Sequence, residues 1–429
     1  MREMKDSGIR WMGDIPSDWN VERVKHGFVR KKEEAHQENP IVLSLARAGV
    51  KARDISNNEG QIAESYYNYN PVDVDDLLIN PMDLYSGANC SISKIKGVIS
   101  PAYINLRYCE GHNPNYYDYY FKVQYWMMAF FAHGKGVSYE NRWTLNAETL
   151  MNYPIIVPPF NEQCRIVKYL DLKCSQIDAI IEKQQTIIEK LKEYKLSIIS
   201  EIVTNGLKFD VEKKKSSIPY IGSIPKHWLQ TNFGNALELI QTGPFGSQLH
   251  ADDYIDNGTI FLVNPANIQN GKIVGDVQCT LSEEKAFSLK QHMMQVGDIV
   301  FARRGEMGRC ACVEDDGNRY FCGTGSIRLK CNSILDSMYA TFYLQTSYVK
   351  QYLELNAVGT TMANLNSKII SDIPILLPPI EEQRLIINYL NKEILNIDDL
   401  LDKQLSLVKK LQEYKKSLIY EVVTGKKEV

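Results

Sequence analysis

"LKEYKLSIISEIVTNG" (Leu191–Gly206) and "LQEYKKSLIYEVVTGK" (Leu411–Lys426) are nearly one segment written twice, 220 residues apart. The likeness reaches well beyond them. Without a gap, the same shift lays "PIIVPPFNEQCRIVKYL" (Pro154–Leu170) on "PILLPPIEEQRLIINYL" (Pro374–Leu390), and Leu145-Asn146 on Leu365-Asn366. A second match, at a shift of 209, pairs "GDIPSDW" (Gly13–Trp19) with "GSIPKHW" (Gly222–Trp228). Each half runs from an I-P-x-x-W lead-in, through a variable stretch, to P-P-x-x-E-Q and a long helix. Repetition of this kind means one structural plan used twice. Constant frames around divergent inserts suggest a shared scaffold carrying two different readers.

The helices are read from their borders and their period. P-P-x-x-E-Q stops a strand and opens a helix, with Glu162 and Glu382 in the positive first turn. No proline or glycine follows as far as Thr204 and Thr424, giving rods of roughly 65 Å at ~1.5 Å per residue. The apolar seam of the first runs Leu170, Cys174, Ile177, Ile181, Gln184, Ile188, Leu191, Lys195, Ile198, Ile202. Its alternating steps of four and three are the coiled-coil heptad. The second seam runs from Leu390 to Val422 in the same steps, with Gln404 and Lys415 where the first has Gln184 and Lys195. A pseudo-two-fold axis would pair the rods antiparallel, with two unlike domains at opposite ends. Gln184 and Gln404 then either meet and fix the register or are two partly exposed glutamines tolerated at a seam.

Composition bounds the rest. A chain of 429 residues with 44% hydrophobic and 24% charged residues has room for two or three globular domains. No run of eighteen apolar residues and no signal-like N-terminus is present, which points to the cytoplasm and away from a membrane. Nine cysteines without a framework fit a reducing compartment, and the spacing of Cys310, Cys312, Cys322 and Cys331 is not that of a zinc site. With a net charge of −3, any nucleic-acid contact needs local basic clusters.

The variable stretches mix strand and helix signals in one order, so each is expected to be an α/β domain. "NYYDYYFKVQYWMMAFF" and "SMYATFYLQT" are apolar helices; their tyrosines suit core packing better than base stacking. Two loops of the second half stand out. In "QTGPFGSQL", Thr242, Gly243, Pro244, Phe245, Gly246 and Ser247 place glycines around a Pro-Phe, letting backbone approach a surface closely. In "ARRGEMGR", Arg303, Arg304, Gly305 and Arg309 follow a strand end, where arginine suits phosphate or guanine contact. A solvated basic turn is the plainer alternative. The first half offers Asn80, Met82 and Asp83 there instead, as base contacts or as turn structure.

Catalytic patterns do not assemble. "VPPF" (Val157–Phe160) lacks the asparagine of an amino-methyltransferase loop, and its repeat is "LPPI". There is no G-x-x-x-x-G-K-[ST] loop and no H-E-x-x-H. "EYK" falls on the heptad helices, and His250 with Asp252 and Asp253 is a weak metal pattern. The chain reads as non-catalytic, without a metal or cofactor of its own.

Taken together, the paired I-P-x-x-W segments, "TGPFGS", "GDIVFARRGEMG", "SPAY", the twin L-N and the twin E-Q helices resemble the specificity subunit of type I restriction-modification systems. The resemblance spans essentially the whole chain. It implies two α/β target-recognition domains, residues 20–153 and 229–373, each reading half of a split double-stranded DNA site. Around them lie the lead-in 1–19, the spacer helix 154–206, a linker with the second lead-in 207–228, and the spacer helix 374–429. It implies two methyltransferase subunits docked on the helices and further motor-nuclease subunits. S-adenosylmethionine, ATP and magnesium would belong to those partners. The alternatives are a protein-binding coiled-coil adaptor, and the reader of a system whose methyltransferase and nuclease are fused.

Overall fold

The computed structural model describes residues 2–46, 49–54, 63, 65–82, 84, 90–136, 143–208, 210–218, 221–356 and 365–429. The chain divides into two units, Met1–Gln185 with Ser406–Val429, and Thr186–Leu405. The division falls inside the long helices Phe160–Asn205 and Ile380–Val423, so each helix contributes to both units.

In the first unit, strands β1 (Phe28–Lys31), β2 (Leu77–Ile79), β3 (Cys90–Ile92) and β4 (Ile104–Tyr108) form an antiparallel sheet of order β1-β4-β2-β3. Helix α1 (Pro114–Trp126) starts where Asn113 caps the Asn115 N–H and Pro114 supplies a preset first turn. Its Tyr116, Tyr117, Tyr120 and Phe121 are fully buried, so these rings are core, not a stacking platform.

The second unit repeats the plan. Strands β5 (Leu237–Thr242), β6 (Ile299–Ala302), β7 (Cys310–Cys312) and β8 (Ser326–Cys331) have the order β5-β8-β6-β7, again antiparallel. Helix α2 (Ser337–Leu344) is capped by Asp336 and buries Tyr339, Phe342 and Tyr343. A further layer pairs Ile260–Val263 in parallel with Arg319–Cys322. Cys310, Cys312 and Cys322 are buried free thiols, and burial pushes each up to about 12.

Repeated motifs have repeated structural tasks. Each lead-in enters a strand paired with the segment before the long helix: Asn20–Arg23 with Pro154–Val157, and Leu229–Asn232 with Pro374–Leu377. Trp19 and Trp228 are fully buried. The Trp19 indole donates to Glu162 at 2.9 Å, whereas Glu382 receives His227 at 2.8 Å. The glutamine of each E-Q is also buried. Gln163 accepts the Asn113 N–H and donates to the Gly111 and Pro158 carbonyls. Gln383 accepts the Asp336 N–H and donates to Ile334 and Pro378. One side chain thus ties the root of the long helix to the capping residue of the aromatic helix.

Within each unit the long helices run antiparallel. In the first, Lys415 meets Asp178 at 2.6 Å, while Trp19, bonded to Glu162, packs on Gly425. In the second, Lys195 meets Asp398 at 2.6 Å, while Gly206 lies beside Glu382. The heptad positions read from the sequence are buried or half-buried throughout. Seam positions Lys195 and Lys415 lay their stems along apolar surface and end on an aspartate of the other helix. Gln184 belongs to one unit and Gln404 to the other; each Oε1 is buried and, among the described residues, accepts no hydrogen bond.

Candidate nucleic-acid interface

One edge of the second sheet gathers the loops singled out in the sequence. Thr242 at the end of β5 faces Ile327, and Ala302 at the end of β6 faces Ser326, the first residue of β8. Three connections therefore leave the sheet side by side. The Gly243 N–H donates to Ser326 and the Arg303 N–H to Gly325, both at 2.9 Å, so backbone bonds lock the loops together. The central strands below are fastened by Arg328 and Asp298, 2.7 Å apart and almost fully buried. Such a pair holds its place because each charge has a partner; removing either strands the other.

Gly243 has a steric reason: a β-carbon there would overlap the Gly323 carbonyl. Pro244 is buried, and Phe245 turns outward with 68% of its surface exposed, followed by exposed Gly246 and Ser247. The tip is rigid. The Phe245 N–H donates to Gln248 Oε1 at 3.1 Å, and its carbonyl accepts from Gln248 and Leu249. Leu249 is buried and anchors the turn.

The arginines divide into different roles. Arg303 is half-buried and donates from Nε to the Leu365 carbonyl at 3.1 Å, while its own carbonyl accepts the Leu365 N–H. Burial first, and then the adjacent Arg304 charge, lower the Arg303 pKa from its ordinary value. An anion at this edge would relieve that repulsion. Arg304 is exposed, and among the described residues it makes no hydrogen bond or ion pair. Arg309 is spoken for: it donates to the Pro265 carbonyl and pairs with Glu306, 3.1 Å away. Gly305, at φ +85°, lets the loop turn back so that the Ala302 N–H donates to the Arg309 carbonyl.

The first unit uses the equivalent edge differently. Asn80 Oδ1 accepts the Met82 N–H at 3.0 Å, an Asx turn, and the Asn80 carbonyl accepts Tyr125. Pro81 accepts the Leu145 N–H just as Arg303 accepts that of Leu365, so the two loops are structural equivalents. Met82 is exposed, and Asp83 lies outside the described residues. Elsewhere, Asp253 takes the His250 N–H and pairs with Lys285, which gives that acidic turn a structural task. Sequence reasoning gave Glu162 and Glu382 only a helix-start role and gave Gln163 and Gln383 none; the twin occurrence of E-Q was the available sign of their tertiary bonds.

Comparison with known proteins agrees with this geometry. Residues 245–410 match the family described as type I restriction modification DNA specificity domain. The EcoBI type I specificity subunit of Escherichia coli is 22% identical, over 94% of this chain and 85% of its own. The MjaVIII specificity subunit of Methanocaldococcus jannaschii is 23% identical, over 96% and 93%. A chain from a structure described by the assembly and conformational transition of the type I R-M system superposes with a TM-score of 0.68 at 16% identity, covering 96% of this chain and 99% of that one. The doubled α/β fold with its long helices is therefore shared with that chain. Over nearly its whole length the chain is thus similar to the specificity subunits of these systems. Among the described residues no helix is long and apolar enough to cross a membrane.

Proposed function

We propose that this chain is the non-catalytic DNA reader of a type I restriction-modification complex in the cytoplasm. Each α/β domain reads one half of a bipartite, asymmetric site. The observation that carries the proposal is the contrast at equivalent edges: unpartnered Arg304 and exposed Phe245 in the second unit, an Asx turn at Asn80 in the first. One frame with two unlike tips fits two unlike half-sequences. Phosphate contacts would set affinity and base edges the sequence. Arg304, Thr242, Gly246 and Ser247 are proposed as direct contacts, with Arg303, Gly243, Pro244, Gly305 and Arg309 shaping the loops and Met82 contributing from the first unit.

Methyltransferase subunits are proposed to dock on the long helices. Ile180, Ile187 and Tyr194, and at matching places Leu400, Leu407 and Tyr414, repeat every seven residues and are 39 to 55% exposed. A second apolar heptad line beside the first seam suits a partner helix. Motor-nuclease subunits would join that complex. The helix connection is proposed to set half-site spacing, and Gln184 and Gln404 to limit register. Exchanging residues 229–373 for another such domain tests the reading: modified-base sequencing should show one half-site changed and the other retained. A change in both halves would refute it. Four residues inserted after Thr204 should alter spacing alone.

A further inference from the structure

Phe245 is the feature of the reading edge that phosphate contact does not explain. The ring is 68% exposed and set on a turn braced by Gln248, Leu249 and buried Pro244. The backbone that carries it is already ordered before any ligand arrives, so binding has no turn to form. Around it the edge offers glycine backbone, Ser247 and the Arg304 charge.

Resting on the proposed DNA-reading role, we infer that Phe245 is a specificity-determining residue that reads the C5-methyl group of a thymine in the half-site of the second unit. The base edges of the major groove present hydrogen-bond donors and acceptors at every pair, and one apolar group, the thymine methyl. A phenyl ring pressed on a donor or acceptor strips its water and returns no bond. Pressed on a methyl, it buries apolar surface on both sides. The ring therefore selects by penalty as well as by attraction: a thymine at that step is favoured and the other bases are disfavoured. The chemical class recognised is a 5-methylpyrimidine in duplex DNA.

The test uses the full chain assembled with its methyltransferase subunits and duplexes carrying its mapped site. Each thymine of the second unit's half-site is replaced in turn by deoxyuridine, which removes only the methyl. Affinity is read by fluorescence anisotropy for the wild type, Phe245→Ala and Phe245→Leu. At one position the wild type should lose about four-fold, the worth of one buried methyl. Phe245→Ala should bind weakly and be indifferent to that replacement, while Phe245→Leu should regain part of the sensitivity. A methyl effect equal in wild type and Phe245→Ala at every position overturns the inference, as does a half-site without thymine. Brightening of 2-aminopurine beside the site, dependent on Phe245, would show a ring wedged between bases and also overturns it. If the wild type itself shows no sequence preference, the DNA-reading role falls with it, and that result is told apart by the unmodified duplex alone.

Discussion

Gln163 receives the Asn113 N–H at 2.7 Å, and in the second unit Gln383 receives the Asp336 N–H at 2.8 Å. In both cases the donor is the capping residue of the aromatic helix and the acceptor stands in the first turns of a long helix. The same amides reach the carbonyls of Pro158 and Pro378. An α/β domain and the long helix beside it are thereby joined through a fully bonded, buried amide, which passes little play from one to the other.

Replacing Gln383 by leucine keeps the volume and leaves the Asp336 N–H without its acceptor. An unsatisfied buried donor costs about 1–3 kcal/mol. The variant should melt several degrees below the wild type in a thermal scan, and Gln163→Leu should behave alike. Melting at the wild-type temperature would show that water replaces the clamp.

Acid should weaken the first lead-in through Glu162. Burial works to raise its carboxyl, but Arg2 and the Trp19 indole outweigh burial and hold it below the ordinary value. A depressed folded pKa gives stability that is fully present above the unfolded value of about 4.3 and is lost as pH falls through the folded value. Glu162→Gln keeps an acceptor for Trp19 and removes the charge. The melting gap between wild type and variant should be widest near neutral pH and close in the acid range. A gap independent of pH would contradict this.

Arg304 and Arg303 should separate affinity from stability. Arg304→Ala removes an unpartnered surface charge, so melting should hold within about 0.5 kcal/mol. DNA binding should weaken, and the slope of log affinity against log salt should shrink by about one. Arg303→Ala also loses the bond to Leu365 and should lower the melting point. Unaltered salt dependence in Arg304→Ala would remove that residue from the interface.

The exposed heptad line predicts a docking phenotype. Tyr194→Asp and Tyr414→Asp alter residues 53 and 55% exposed and should leave the fold intact. Each should reduce recovery of a co-expressed methyltransferase subunit in pull-down, and together they should abolish it. Full recovery by the double variant would place docking elsewhere.

Much of this architecture was legible because it depends on period and repetition. Heptad spacing is a property of the letters, and a 220-residue self-match needs no coordinates. The seam lysines were visible, but their ends on Asp178 and Asp398 were not, because those aspartates lie outside the apolar pattern. The loops were found by their glycines and arginines. That Arg303 is tied to Leu365, 62 residues away, while Arg304 has no partner among the described residues is decided by tertiary packing. Asn80 reads equally well as a contact or a turn; the structure shows that its Oδ1 accepts the Met82 N–H in an Asx turn.

The Tyr116 hydroxyl donates to the Val423 carbonyl, Lys426 reaches the Met12 carbonyl, and Leu418, Ile419, Val422 and Val423 lie in the first unit's core. During synthesis, those residues leave the ribosome only after the whole second unit has been made. The first-made domain must therefore wait, with part of its apolar interior uncovered, for the last-made helix to close it. Nascent chains stalled within the second helix should be marked by that delay as chaperone clients.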